Sequence, residues 1–289
     1  MPLEDHFCQI NGIKLHYVMS GKGPLLIFLH GFPEFWYAWK AQLREFGGEY
    51  RAVAPDMRGY NLSEKPADLE SYQIRNLIQD VQALAEHLGH GKFVLVGHDW
   101  GGAVAWAYAL AHPETLEKLV IVNAPHPGIF ARELTQNPAQ QKASTYMTFF
   151  QQPDAPEQML SADNHAALVN IVMGAGLQSG AFTEEDKQAY LAAWSQPGAL
   201  TGGLNYYRAA RLGPTLSGNF APDPARLVVN VPTLVIWGEQ DTALLPGNLE
   251  GLDQFVPNLT VKRIPDGSHW VIHEQPQEIN RLIREFLVN

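Results

Sequence analysis

Residues Lys92 to Ala103, KFVLVGHDWGGA, constrain the fold of this chain more than any other stretch. Phe93–Val96 is an unbroken apolar run, the pattern of a strand buried on both faces of a parallel sheet. The run stops at Gly97-His98-Asp99-Trp100-Gly101, and the chain resumes as AVAWAYALAHPE, a buried helix expected to end near Pro113. Strand, tight glycine-flanked turn and helix together make a nucleophile elbow, in which the central residue is forced into a strained and accessible turn. Here that residue is Asp99 and not serine.

The remaining pattern is that of an α/β protein. Phe7–Ile10 and Ile13–Met19 are alternating runs joined by Asn11-Gly12, a hairpin signal. The turn Gly21-Lys22-Gly23-Pro24 is followed by a strand and not a helix, so it does not read as a phosphate loop. Buried-strand patterns at Pro24–His30, Arg51–Ala54, Lys118–Asn123, Val231–Gly238 and Leu259–Ile264 alternate with helical segments around Trp36–Phe46, Tyr72–Leu88 and Glu278–Val288. Such alternation predicts a mostly parallel sheet flanked by helices. From about 128 to 215 strand-like runs nearly vanish. We therefore expect a core domain of residues 1–127 and 216–289, with residues 128–215 inserted as a helical cap over the sheet's carboxyl edge, where ligands of open α/β sheets bind.

Composition excludes several classes of function. The net charge of −10 disfavours nucleic acid and anionic membrane surfaces as partners. The single cysteine, Cys8, rules out a disulfide framework, the acidic N-terminus does not read as a signal peptide, and no apolar run approaches the roughly 20 residues that span a bilayer. A soluble cytoplasmic protein is the expectation; oligomeric state is not legible.

A nucleophile elbow needs a base and an acid that orients it, and in this arrangement they follow in the order nucleophile, acid, histidine. Asp241 in Trp237-Gly238-Glu239-Gln240-Asp241 follows a strand, and His269 in Asp266-Gly267-Ser268-His269-Trp270 follows the last one. Either residue alone reads as a loop or capping residue; with Asp99, in this order, they read as a triad. Glu239 is the alternative acid, two residues nearer its strand. His30, His98, His126 and His273 lack the paired spacing of a metal site and read as loop and packing residues, with His30 and His98 expected to brace the edge beneath Asp99. No metal or cofactor is implied.

These motifs carry a resemblance. His30-Gly31-Phe32-Pro33-Glu34, Asp56–Tyr60, Gly97–Gly102, Trp237–Asp241 and Gly267–Trp270 together resemble the motif set of α/β-hydrolase epoxide hydrolases of the soluble type, over essentially the whole chain. One departure is Asn61, where the family's loop usually has glycine. The resemblance implies an oxyanion hole from the backbone N–H groups of Phe32 and Trp100. It also implies two ring-opening tyrosines: Tyr146 matches the pattern Y-x-x-x-F-Q-x-P, and Tyr207 matches N-x-Y-R, in preference to Tyr206.

The aspartate selects the substrate class. A carboxylate that displaces at saturated carbon gives an alkyl ester of the enzyme, which a His-activated water can hydrolyse; a serine in its place would give an inert ether. The substrate is then a carbon electrophile with a leaving group, an epoxide or an alkyl halide. An epoxide needs a proton donor for its oxygen, which tyrosines supply, whereas a halide needs N–H donors. Trp100 could serve a halide, but haloalkane dehalogenases typically have asparagine where Phe32 stands, and fluoroacetate dehalogenases carry arginines where this chain has Trp100 and Ala103. Trp36, Phe149 and Trp270, with Phe32 and Trp100, suggest an apolar aromatic pocket. The expected activity is hydrolysis of a small apolar epoxide to a vicinal diol. A dehalogenase on the same Asp-His-Asp frame and a non-catalytic receptor for a small ligand are the alternatives.

Overall fold

The computed structural model describes residues 1–89, 91–214 and 224–288. Among them eight strands form one sheet: β1 (Glu4–Ile10), β2 (Ile13–Ser20), β3 (Leu25–Leu29), β4 (Arg51–Pro55), β5 (Phe93–His98), β6 (Leu116–Val122), β7 (Thr233–Gly238) and β8 (Leu259–Ile264), in the order β1-β2-β4-β3-β5-β6-β7-β8. The hairpin β1–β2 turns on Asn11 and Gly12, both at positive φ (44° and 76°), as a two-residue turn that follows the strand twist requires. β2 meets β4 antiparallel, and every pairing from β4 through β8 is parallel.

Helices cover both faces because the central strands are apolar on both. Leu26 and Phe28 of β3, with Val94 and Val96 of β5, face a layer built by α1 (Lys40–Phe46) and α11 (Pro276–Val288), through Leu43, Phe46, Ile279, Leu282 and Ile283. The alternate residues Leu25, Ile27, Leu29 and Leu95 face α2 (Ile74–His87) and α3 (Trp100–Ala111). Between β6 and β7 the chain forms α4 (Pro127–Gln136), α5 (Pro138–Ala143), α6 (Thr145–Phe150), α7 (Ala155–Ser179), α8 (Glu184–Trp194) and α9 (Ala199–Ala210). α7 is interrupted by non-helical backbone at Ala162–His165. These helices rest on the loops that follow β3, β4 and β5. Tyr206 of α9 donates its hydroxyl to the Arg58 carbonyl at 2.8 Å, and a Cβ on Gly202 would come within 2.2 Å of the Gly59 carbonyl oxygen, so only glycine permits this approach of helix to loop.

Several elements differ from the sequence expectation. β5 continues two residues past its apolar run, because the ladder pairs Gly97 with Ile121 and His98 with Val122. The 259–264 strand is not buried like the others: it has a single neighbour, β7, and lies half exposed at the sheet edge. The last helix starts at Pro276, two residues before the expected Glu278, because proline suits the first helical position. A short helix, α10 (Val271–Glu274), precedes it. Trp36–Trp39 is a 3₁₀ turn leading into α1. The expected boundary at residues 215 and 216 lies outside the described residues. No helix among the described residues is long and apolar enough to cross a membrane.

The α11 face makes a direct test of this packing. Ile283 is fully buried against the sheet, so Ile283→Ala should lower the unfolding free energy by about 2–5 kcal/mol, read by urea denaturation. A loss under about 1 kcal/mol would contradict the packing.

Candidate active site

The three residues expected to act together converge at the carboxyl ends of their strands. Asp99 lies between β5 and α3 with φ 49° and ψ −120°, a conformation that costs on the order of 1–3 kcal/mol and directs its side chain away from the sheet. The turn is compact: a Cβ on Gly101 would come within 2.2 Å of the Leu29 carbonyl oxygen. The α3 N-terminus presents unpaired N–H groups and the positive end of the helix dipole beside the Asp99 carboxylate. The Phe32 backbone N–H donates to Asp99 Oδ1 at 2.8 Å, which leaves Oδ2 toward His269, whose Nε2 lies 3.7 Å away. Trp100 opens α3, so its N–H is among the helix-end donors without an intrahelical acceptor.

His269 Nδ1 donates to Asp241 Oδ2 at 2.7 Å. Asp241 is buried and fixed from three sides: the backbone N–H groups of Ala243 and Leu244 donate to Oδ1 at 2.8 Å each, and Asn123 Nδ2 donates to Oδ2 at 2.8 Å. Asn123 follows β6 directly, accepts the Gly238 N–H at 2.9 Å, and is not singled out by the sequence; an amide just past a strand end carries no motif of its own. Glu239, the alternative acid, pairs with Arg263 at 2.9 Å instead.

Charge around the imidazole is concentrated. Burial alone would lower the His269 pKa, but the Asp241 carboxylate reverses this, with Asp99 and Glu34 adding to it, and the ring rises from 6.5 to about 9. Burial would raise Asp241; the His269 ring overcomes that and holds it below its ordinary value.

Tyr146 of α6 and Tyr207 of α9 come together over this line. Their ring centroids are 6.1 Å apart and nearly perpendicular, and the Tyr207 ring stands 5.1 Å from the Trp100 ring and 5.5 Å from the Phe32 ring. Burial, reinforced by the Asp99 charge, lifts both hydroxyls well above their ordinary pKa, so both keep their protons at neutral pH. Tyr206 spends its hydroxyl on the Arg58 carbonyl. Arg208, next to Tyr207, forms a double hydrogen bond with Glu157 of α7 at 2.7 and 2.9 Å, which ties α9 to its neighbour.

The expected aromatic pocket is assembled only in part. The Trp270 ring lies 4.9 Å from His269, and Phe150 packs against Phe32 and Tyr207 at 5.4 and 5.2 Å. Phe149 contacts Phe150. Trp36 instead packs on Phe35 and Tyr37 and donates its backbone N–H to Asp56. Phe150 was missed because it follows Phe149 in one aromatic run, and sequence alone does not say which of the two faces inward. His98 braces the base loop, donating Nε2–H to the His269 carbonyl at 2.8 Å, while His30 accepts the Met57 N–H. His126 caps α4, accepting the Gly128 N–H. Asn61 holds φ 38°, the conformation a glycine would favour, and its amide donates to Asp56. Among the described residues no group of three or more His, Cys, Asp or Glu could hold a metal ion.

This is the fold and elbow of an α/β hydrolase, and the profile of the alpha/beta hydrolase fold family matches residues 24–276. The chain is 42% identical over 287 residues to mouse epoxide hydrolase 4, covering 96% of this chain and 77% of that one. It is also 42% identical to the Bacillus subtilis AB hydrolase superfamily protein YfhM, covering 98% and 97%. The crystal structure of the Bacillus megaterium epoxide hydrolase in complex with an inhibitor superposes with a TM-score of 0.92 at 40% identity, covering 98% and 100%. The chain belongs to the α/β-hydrolase fold family and, within it, to the epoxide hydrolases.

The raised His269 pKa makes stability depend on pH with a defined sign. The folded ring binds its proton more tightly than the unfolded one, so its contribution is full below about pH 6.5 and is lost as pH rises through about 9. Urea denaturation across that window should show the wild-type protein losing stability that Asp241→Asn does not lose. Parallel pH curves for the two proteins would contradict the assignment.

Proposed function

We propose that this chain hydrolyses small apolar epoxides to vicinal diols through an alkyl ester on Asp99. The observation that carries the reading is the alignment Asp99–His269–Asp241 with Tyr207 packed on Trp100 and Tyr146 packed on Tyr207. Asp99 Oδ2 attacks an epoxide carbon while Oδ1 stays on the Phe32 N–H. The carbon–oxygen bond of the ring breaks, and the freed oxygen takes a proton from Tyr146 or Tyr207.

The ester removes a negative charge from beside His269. That loss weakens the hold on the imidazole proton, which passes to the tyrosinate left by ring opening, and the neutral ring can then act as a base. Water then adds to the ester carbon, giving one proton to His269 Nε2, and the negative oxygen of the tetrahedral intermediate sits on the Phe32 and Trp100 N–H groups. The intermediate expels the alkoxide, which takes the proton from His269. The second proton of the added water, left on the Asp99 carboxyl, returns to His269 and restores the resting imidazolium, so the sum is epoxide plus water to diol.

Helices α4–α9, which begin at Pro127, one residue ahead of the expected 128–215 insertion, serve as the cap that carries both proton donors and closes the site from solvent. Trp270, Phe149 and Phe150 give the pocket its apolar walls, and Trp36 supports the Asp56 loop. A halide would need the Trp100 indole, and here that ring packs edge-on against Tyr207, one of the two proton donors an epoxide requires.

His269→Gln should retain ring opening and slow ester hydrolysis by about 10²–10⁴. Intact-protein mass after incubation with styrene oxide should then show one adduct, mapped to Asp99. An adduct from a bromoalkane alone would replace this reading with a dehalogenase, and no adduct from either would leave a receptor. Tyr146→Phe and Tyr207→Phe should each slow alkylation about tenfold, and the double variant by about 10²–10⁴. A double variant alkylated at the normal rate would remove the tyrosines from the mechanism.

A further inference from the structure

Glu34 is a buried carboxylate that the reaction above does not use. It lies in the loop after β3, and its side chain is fully enclosed. Its two oxygens meet three separate parts of the fold. His98 Nδ1 lies 3.0 Å from Oε2; His273 Nε2, on α10, lies 2.6 Å from Oε1; and the Tyr190 hydroxyl, on α8, donates to Oε1 at 3.1 Å. The other nitrogen of His98 donates to the backbone carbonyl of His269 at 2.8 Å. A single imidazole therefore separates Glu34 from the backbone of the base, and the same carboxylate receives a hydroxyl from the inserted helices.

α8 itself is seated by polar side chains along one stripe, Asp186, Tyr190 and Trp194, spaced i, i+4 and i+8. Asp186 accepts from the Tyr37 hydroxyl at 2.9 Å and pairs with the Lys40 ammonium. Trp194 donates its indole N–H to the Pro33 carbonyl at 2.6 Å, next to Glu34 in the chain. The contacts on either side of Tyr190 hold α8 against the Glu34 loop, so its hydroxyl cannot leave the carboxylate unless the helix lifts.

We propose that Glu34 is a positioning residue. It fixes His98, and through His98 the carbonyl of His269, so that Nε2 stays where it can take a proton from the attacking water. Tyr190 makes the seating of α8 part of the same hydrogen-bonded unit. The inference rests on the roles given to Asp99 and His269 above. Ring opening draws on Asp99 and the tyrosines, whereas ester hydrolysis depends on where His269 stands, so the loss of Glu34 falls on the second step.

Rapid-quench mass spectrometry of the intact protein with styrene oxide reads both steps, through the rate of alkylation and the fraction of enzyme alkylated at steady state. Glu34→Gln should slow hydrolysis about tenfold, keep alkylation within about threefold of wild type, and raise the alkylated fraction. Tyr190→Phe should move the same ratio the same way by about twofold to fivefold, and it decides the matter if Glu34→Gln does not fold. A purely structural role would lower the amount of active enzyme without changing the ratio of the two steps, so an unchanged ratio in a folded variant overturns the proposal. His269→Gln run alongside separates the two readings. No adduct in it overturns the ester mechanism, whereas an adduct there with an unchanged ratio in Glu34→Gln overturns only the role of Glu34.

Discussion

The backbone of Asp99 is the constraint on which the site depends. A non-glycine residue at φ 49° and ψ −120° is strained, and it persists only because its surroundings determine it from every side. β5 enters the turn from the middle of a parallel sheet, α3 leaves it packed on that sheet, and Gly101 lies so close to the Leu29 carbonyl that no side chain fits between them. The strain has a chemical use. It lifts one carboxylate off the sheet, faces it with the Phe32 N–H and the start of α3, and leaves its second oxygen toward His269. Once the elbow is fixed, the other groups need only arrive at the carboxyl ends of neighbouring strands, and the parallel topology brings them there.

Charge is the second organising term. One imidazole lies within the field of three carboxylates, Asp241, Asp99 and Glu34, which outweigh the burial that would otherwise discharge it. Such an arrangement makes the ring sensitive to the state of Asp99: in the reaction we propose, esterification would convert a negative neighbour into a neutral one at the moment a base is called for. Asp241 is locked by two backbone N–H groups and Asn123, and stays in place while the charge beside it changes. The tyrosines have the complementary property. With Tyr207 buried, Tyr146 partly buried and both in the field of Asp99, they hold their protons firmly, which suits donors to an alkoxide as it develops.

Much of this was legible in the sequence. The elbow, the sheet and the order Asp99, Asp241, His269 follow from apolar runs that end in polar turns, because a buried parallel strand has few other sequence patterns open to it. Asp241 was separable from Glu239 by its position in the turn, and the structure gives Glu239 to Arg263. What could not be read depends on contacts across the fold. Asn123 is an unremarked amide until β6 and β7 lie side by side. Glu34 follows a proline in a loop, and nothing local says that a hydroxyl of α8 and two histidines converge on it. Trp36 was expected in the pocket because it is a tryptophan near the right loop, but its ring packs with Phe35 and Tyr37. The edge position of β8 was hidden for a similar reason: strand order is not written in strand composition.

The claim beneath all of this is that Asp99 itself is the nucleophile, and the origin of the oxygen in the product tests it most directly. In a single turnover with enzyme in excess, in water enriched in oxygen-18, the account predicts that the first diol carries unlabelled oxygen taken from Asp99. The heavy isotope should appear in the carboxylate of the peptide containing Asp99. Heavy oxygen delivered straight into that first diol, with none in the peptide, would mean that water attacks the epoxide directly, and would contradict the account.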